Sequence, residues 1–259
     1  MKHPRGRARI LAVANQKGGV GKTTTAISLA AALAVLERPV LLVDFDPQGN
    51  ATSGLGVDKT TLSRTAYDWI GGAAFDEVAR GTDLPHLTLV PSNRELVGAE
   101  VELVNLERRE HRLSAKIEPL SDRFEYILID CPPSLSLLTV NALVAADGVL
   151  VPIQCEYFAL EGVTELLTTI ERVKESLNPR LALQGVVATM WDERTNLSRQ
   201  VLEEIRKHFG ALVFQNVVPR NVRLAEAPSF GKPILLYDVK SKGAEAYLGI
   251  ARELLRRDS

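Results

Sequence analysis

The sequence predicts an α/β fold: a doubly wound, mostly parallel β-sheet flanked by helices on both faces. Short β-branched or leucine-rich runs alternate with segments of helical periodicity. The strand runs are near-continuously apolar, which implies burial on both faces and hence helical layers above and below a parallel sheet. A glycine-rich loop also joins the first strand to the first helix.

In chain order, residues 10–14, 40–45, 87–91, 126–130, 148–153, 182–188 and 212–218 read as strands. Residues 23–36 are the first apolar-periodic helix. Val163, Leu166, Leu167, Ile170, Val173 and Leu177 fall at helical spacing, as do Val201, Leu202, Ile205 and Phe209, and both sets read as core stripes. Tyr247, Leu248, Ala251, Leu254 and Leu255 mark a final core-packed helix. Residues 54–83 are mixed and glycine-rich, so irregular structure with one short helix is expected there. No repeat, low-complexity tract or linker interrupts the chain, and residues 1–259 are expected to form one domain that begins with a basic arm over residues 1–9.

A chain of 259 residues, 46% hydrophobic, carries ample material for a core. It shows neither a leader pattern nor an apolar run of bilayer-spanning length, so a soluble cytoplasmic protein is expected. Cys131 and Cys155 lack C-x-x-C spacing and read as small core residues rather than a disulfide or zinc site. The net charge of −1 is unevenly spread. Residues 1–9 hold four basic side chains and no acid, residues 180–259 thirteen against nine, and the remainder fourteen against twenty-three. The basic ends point weakly to a polyanionic partner, and on charge alone ordinary solvated surface is the better reading.

The stretch NQKGGVGKTTT, residues 15–25, almost fits the phosphate-loop pattern G-x-x-x-x-G-K-[ST], but Gln16 replaces the first glycine and Lys17 follows it. It sits between the strand ILAVAN and a helix, the context the pattern requires. Gly18, Gly19 and Gly21 let backbone N–H groups wrap phosphates without Cβ clashes, while the helix N-terminus faces the same anion. Lys22 neutralises the β- and γ-phosphates and the Thr23 hydroxyl ligates Mg²⁺. Gly18, Gly19, Val20, Gly21, Lys22, Thr23 and Thr24 are therefore the expected nucleotide-binding run. A turn that merely starts a helix would not require Lys-Thr at its last two positions.

A magnesium-nucleotide site also needs a carboxylate at a neighbouring strand end, and YILIDCPPS supplies Asp130 before the chain breaks at Pro132 and Pro133. A third element, VLLVDFDPQGNATSGLG, ends a strand in Asp44 and Asp46, which share one face in an extended chain. Asp44 is expected on the magnesium water shell and Asp46 as the group that positions the attacking water. Pro47 and Gly49 turn the chain into a loop suited to sensing the γ-phosphate.

Together KGGVGKTT, DFDPQGNATSGLG, IDCPPSLSLLTVNAL and PRNVRLAEAPSFGKPI resemble the ParA/Soj ATPases of chromosome and plasmid partition, within the wider group that includes MinD. The resemblance runs from Ile10 to about Leu255 and implies a P-loop NTPase of the deviant Walker A class. It implies that Lys17 reaches across a nucleotide-sandwich homodimer to the partner's phosphates, comparable to an arginine finger whose removal costs on the order of a thousandfold in rate. It places Pro219 and Asn221 near the adenine. It assigns Arg194, Arg220 and Arg223 to binding of double-stranded DNA without sequence preference, although Arg223 reads equally well as an ion-pair partner of Glu226. It implies a nucleoid-associated protein with a ParB/Spo0J-like partner that stimulates weak ATP hydrolysis. The arm over residues 1–9 either adds phosphate contacts or has no role; composition leaves both open.

Other readings fit less well. A MinD-like membrane ATPase needs an amphipathic tail, whereas the last apolar stripe here reads as core. An iron–sulfur reductase needs paired cysteines in an arrangement that Cys131 and Cys155 do not match. A metabolic kinase needs a phosphoacceptor pocket, for which no signal is present. A nucleotide-gated binding module with negligible turnover differs only in whether Lys17 and Asp46 accelerate hydrolysis.

Overall fold

A computed structural model, which describes residues 7–157 and 159–258, places seven strands in one sheet. They are β1 (Arg9–Val13), β2 (Val40–Asp44), β3 (Arg80–Gly81), β4 (Leu87–Val90), β5 (Tyr126–Asp130), β6 (Gly148–Gln154) and β7 (Ala182–Thr189), in the order β3-β4-β2-β5-β1-β6-β7. All pairs are parallel except β3 with β4. Residues 1–6 of the expected basic arm lie outside the described residues.

The helices are α1 (Lys22–Val35), α2 (Asn50–Gly54), α3 (Ala66–Gly71), α4 (Phe75–Val78), α5 (Leu96–Glu102) and α6 (Arg112–Ile117) in the first half. The second half adds α7 (Leu137–Ala145), α8 (Glu161–Ser176), α9 (Asn196–Phe209), α10 (Val222–Glu226), α11 (Ile234–Tyr237) and α12 (Lys242–Asp258). Alternate residues of each central strand enter opposite cores. Ile10, Ala12, Ile127 and Ile129 join the core that contains Trp69, Leu138, Val163 and Val201. Leu11, Val13, Tyr126 and Leu128 join the core built with α1 and α12. This two-sided burial is why the strands are apolar at every position.

Helix α12 buries Tyr247, Ile250, Ala251 and Leu254 against α1, and the Tyr247 hydroxyl lies 3.0 Å from Thr25 Oγ1. The stripe expected to be core is core. Among the described residues no helix is long and apolar enough to cross a membrane. Cys131 and Cys155 are buried free thiols.

Four expectations need correction. Residues 212–218 are not a strand: the segment runs beside β7 and donates from Phe214 to Val186 and from Val218 to Ala188, but its middle is diverted. There the Gln215 N–H bonds the Glu253 carboxylate at 2.9 Å instead of a neighbouring backbone. Residues 54–83 hold two short helices and the edge strand β3 rather than one helix in irregular chain. Finally, β2 ends at Asp44, so Asp46 is not its extended-chain neighbour; the Asp46 N–H turns back to Asp44 Oδ1 at 3.3 Å. Gly49, at φ +61, then starts α2 where an open loop was expected, and a Cβ there would stand 2.6 Å from the Ser92 carbonyl oxygen.

Candidate nucleotide site

The carboxyl ends of β1, β2 and β5 lie side by side near the point where the strand order reverses, the position at which open α/β sheets hold ligands. β1 runs into the glycine-rich loop and α1. Gly19 and Gly21 adopt φ of +75° and +90°, and an added Cβ on Gly18 or Gly19 would meet nothing within 4 Å. The loop backbone is thus open to a ligand and held in a conformation that other residues rarely adopt. Val20 is buried, and its carbonyl accepts the Thr189 hydroxyl at 2.8 Å, tying the loop to the end of β7.

Two cavities meet here. One of about 330 Å³ is lined by Gly18, Gly19, Gly21, Lys22, Thr23, Thr24, Asp46 and Gln48. The other, about 280 Å³ and mainly apolar, is lined by Gly21, Thr24, Val218, Pro219, Asn221 and Tyr247. Gly21, Thr24 and Met190 belong to both walls. A glycine-rich chamber carrying lysine, threonine and aspartate side chains, sharing walls with a mainly apolar one, suits a phosphate chain attached to a flat base.

Lys22 is 7% exposed and its ammonium donates to the Lys17 carbonyl at 3.0 Å. Burial lowers its pKa, opposed by Asp130, Cys131 and Asp46. Asp44 and Asp130 are register partners on β2 and β5. Asp44 Oδ2 accepts the Thr52 N–H at 2.7 Å and the Thr52 hydroxyl at 2.6 Å. Burial pushes its carboxyl up to about 6 despite those bonds. Neither oxygen of Asp130 has a hydrogen-bond partner, although both are buried. Its pKa is raised well above the ordinary value, chiefly by burial and then by Asp44; the nearby Thr23 hydroxyl pulls it down without forming a hydrogen bond of normal geometry. Asp46, 6% exposed, accepts the Gln48 N–H at 2.9 Å. Among the described residues no cluster of three or more His, Cys, Asp or Glu side chains forms an all-protein metal cage. An unpartnered buried carboxylate beside a lysine and a threonine hydroxyl instead fits a cation that brings its own ligands.

The three arginines separate. Arg194 and Arg220 line one cavity of about 560 Å³ together with Trp191 and Lys242. Arg223 lies elsewhere and pairs with Glu226 at 2.9 Å and Asp238 at 3.6 Å, as the ion-pair reading anticipates. Arg194 makes a two-pronged contact with Asp192, at 2.9 and 2.7 Å, which lowers the Asp192 carboxyl to about 2. Arg220 pairs with Glu156 at 2.6 Å.

Sequence reasoning missed Thr52, Met190 and Asn15. Met190 has φ +51, a strained value for its type at the seam of both cavities, which only the folded chain imposes. Asn15 had a legible signal, since an asparagine two residues before a loop lysine commonly captures that N–H.

A family model described as an AAA domain matches residues 8–183. "Chromosome partitioning protein ParA" of Myxococcus xanthus is 56% identical, covering 97% of this chain and 89% of the relative. The chain belongs to the ParA/Soj family of chromosome-partitioning ATPases. The sporulation initiation inhibitor protein Soj of Bacillus subtilis is 52% identical over 95% of this chain and 98% of its own. Among solved structures, one titled cobyrinic acid a,c-diamide synthase from Mycobacterium smegmatis, with bound ADP and magnesium, aligns at TM-score 0.86 and 41% identity, covering 96% and 95% of the two chains. The Pyrococcus furiosus cell division ATPase MinD aligns at TM-score 0.79 with 26% identity, covering 96% of this chain and 99% of its own. ParA/Soj relatives are thus the nearer kin, and MinD is a distant one.

Proposed function

We propose that this ParA/Soj-family ATPase binds Mg²⁺-ATP between its two joined cavities, closes into a homodimer, and in that state holds double-stranded DNA without sequence preference. The observation that carries the reading is the buried, unpartnered Asp130 carboxylate beside Lys22 and Thr23, at the foot of a glycine loop that leads into an apolar chamber. Gly18, Gly19, Val20, Gly21, Lys22, Thr23 and Thr24 hold the phosphates, and Pro219 and Asn221 wall the adenine. Thr23, with Asp44 and Asp130 acting through water, would hold Mg²⁺, which supplies charge compensation on the β- and γ-phosphates. Lys22 acts on the phosphates of its own protomer and Lys17 on those of its partner, while Asp46 orients the attacking water.

A cation supplied in trans is effective only when two loaded protomers face each other, so dimerisation and hydrolysis are coupled. The γ-phosphate favours the closed dimer and its loss favours separation, a population shift driven by differential binding. Arg194 and Arg220 contact DNA phosphates while Arg223 stays in its ion pairs with Glu226 and Asp238, and a ParB/Spo0J-like partner accelerates hydrolysis and release, which gives a nucleoid-associated cycle.

The test is duplex binding by the Asp46→Ala protein with ATP and with ADP, titrated across salt, with anionic liposomes as a parallel ligand. ATP-dependent, sequence-indifferent binding that weakens steeply with salt supports the reading, because phosphate contacts release counterions. Liposome binding without DNA binding favours a MinD-like membrane role instead.

A further inference from the structure

β1 and β6 run parallel, with the Ala14 N–H donating to the Leu150 carbonyl at 3.1 Å. In a parallel ladder the next rung comes two residues on, from residue 16 to the Pro152 carbonyl. The chain instead turns into the glycine-rich loop, and the side chain of Asn15 supplies that rung: its Nδ2 donates to Pro152 O at 2.8 Å. Its Oδ1 accepts the Lys17 N–H at 3.0 Å. Asn15 is only 3% exposed; its bond to Pro152 is buried and costly to lose, and its bond to Lys17 is partly buried. The Lys17 carbonyl is taken by the Lys22 ammonium at 3.0 Å, so both backbone polar groups of Lys17 are held. The first turn of α8 closes the other side: a Cβ on Gly162 would lie 3.5 Å from Lys17 Cβ and 3.9 Å from Asn15 Oδ1.

We propose that Asn15 is a positioning residue for Lys17, carrying the register of β6 into the loop so that the lysine stem leaves from a fixed point. The inference rests on the reading of Lys17 as a group that acts across a dimer. A lysine has four rotatable bonds, and its ammonium reaches a defined phosphate efficiently only if its backbone does not wander; a misplacement of about 1 Å at a reacting group costs roughly a hundredfold. The position specifies an amide in particular. It must donate to Pro152 O and accept from Lys17 N at once, which neither a carboxylate nor a hydrocarbon does.

The test compares full-length Asn15→Ala, Asn15→Asp and Lys17→Ala with the wild type in three measurements. These are exchange of the Lys17 amide in nucleotide-free protein by NMR, ADP affinity, and ATP-dependent dimerisation by light scattering. Asn15→Ala is expected to speed Lys17 amide exchange by about tenfold or more, and Asn15→Asp, which keeps the acceptor but loses its tie to Pro152, by a smaller factor. Both variants are expected to hold ADP within about threefold of wild type and to need about tenfold more protein to dimerise at saturating ATP. Asn15→Asp retains the acceptor and the side-chain shape, so it carries the comparison if Asn15→Ala does not fold. Wild-type dimerisation of the Asn15 variants, alongside loss of dimerisation in Lys17→Ala, overturns the role of Asn15 alone. Wild-type dimerisation of Lys17→Ala overturns the trans-lysine reading and this inference with it. Lost dimerisation with unchanged Lys17 amide exchange also overturns it.

Discussion

Asp44 and Asp130 face each other as register partners at the ends of β2 and β5, yet Asp44 has both oxygens engaged by Thr52 and Asp46 while Asp130 has neither oxygen engaged. A buried carboxylate without partners destabilises its surroundings unless something else compensates it. The fold thus carries a local cost that a bound cation would relieve.

Asp130→Asn is therefore expected to stabilise the protein at pH 7 in chelator by about 1–3 kcal/mol. The sign follows from linkage. Both aspartates are raised, so as pH climbs from roughly 4, where free Asp titrates, the unfolded chain releases protons that the native state still holds, and stability falls. For Asp44 that fall is complete above about 6. Thermal melts across pH 4–7 should show a shallower decline in the variant. Added Mg²⁺-ATP should raise the melting temperature of the wild type more than that of Asp130→Asn. Equal stability of the two proteins at pH 7 would refute the account.

Lys17→Ala should bind ATP within a few-fold of wild type but fail to dimerise, with turnover down by on the order of a thousandfold. Light scattering separates this from a simple loss of nucleotide affinity. A stable ATP dimer in the variant would remove the lysine from the partner's site.

Asp46→Ala should bind ATP and dimerise but turn over about a hundredfold or more slowly, because the group that orients water is gone. Single-turnover hydrolysis is the measurement. Unchanged turnover would take Asp46 out of the mechanism.

Arg194→Ala and Arg220→Ala should each weaken ATP-dependent DNA binding and lower the slope of log affinity against log salt by about 1. Each guanidinium is engaged by a carboxylate, Asp192 or Glu156. Asp192→Asn should therefore strengthen DNA binding by freeing Arg194. Weaker binding in that variant would mean that the ion pair holds Arg194 in its binding geometry.

Much of the site was legible because its elements are local. A glycine loop between an apolar strand and a helix, and an aspartate where an apolar strand meets Pro132, depend on neighbours along the chain and carry their own signal. Residues 212–218 misled because an apolar run predicts burial but not pairing; Glu253, some 38 residues away, takes the Gln215 N–H that a strand partner would need.

The sequence by itself determined the parallel, doubly covered sheet, the phosphate loop and the identity of the acidic and basic groups around it, since periodicity and residue chemistry suffice for these. Only the tertiary structure decided which carboxylate is satisfied and which is not. Thr52 reaches Asp44 from α2, and Asn15 reaches both Pro152 and Lys17. Hydrogen bonds between segments distant in the chain leave no periodic trace, and it is these bonds that separate Asp44 from Asp130 and hold the backbone of Lys17.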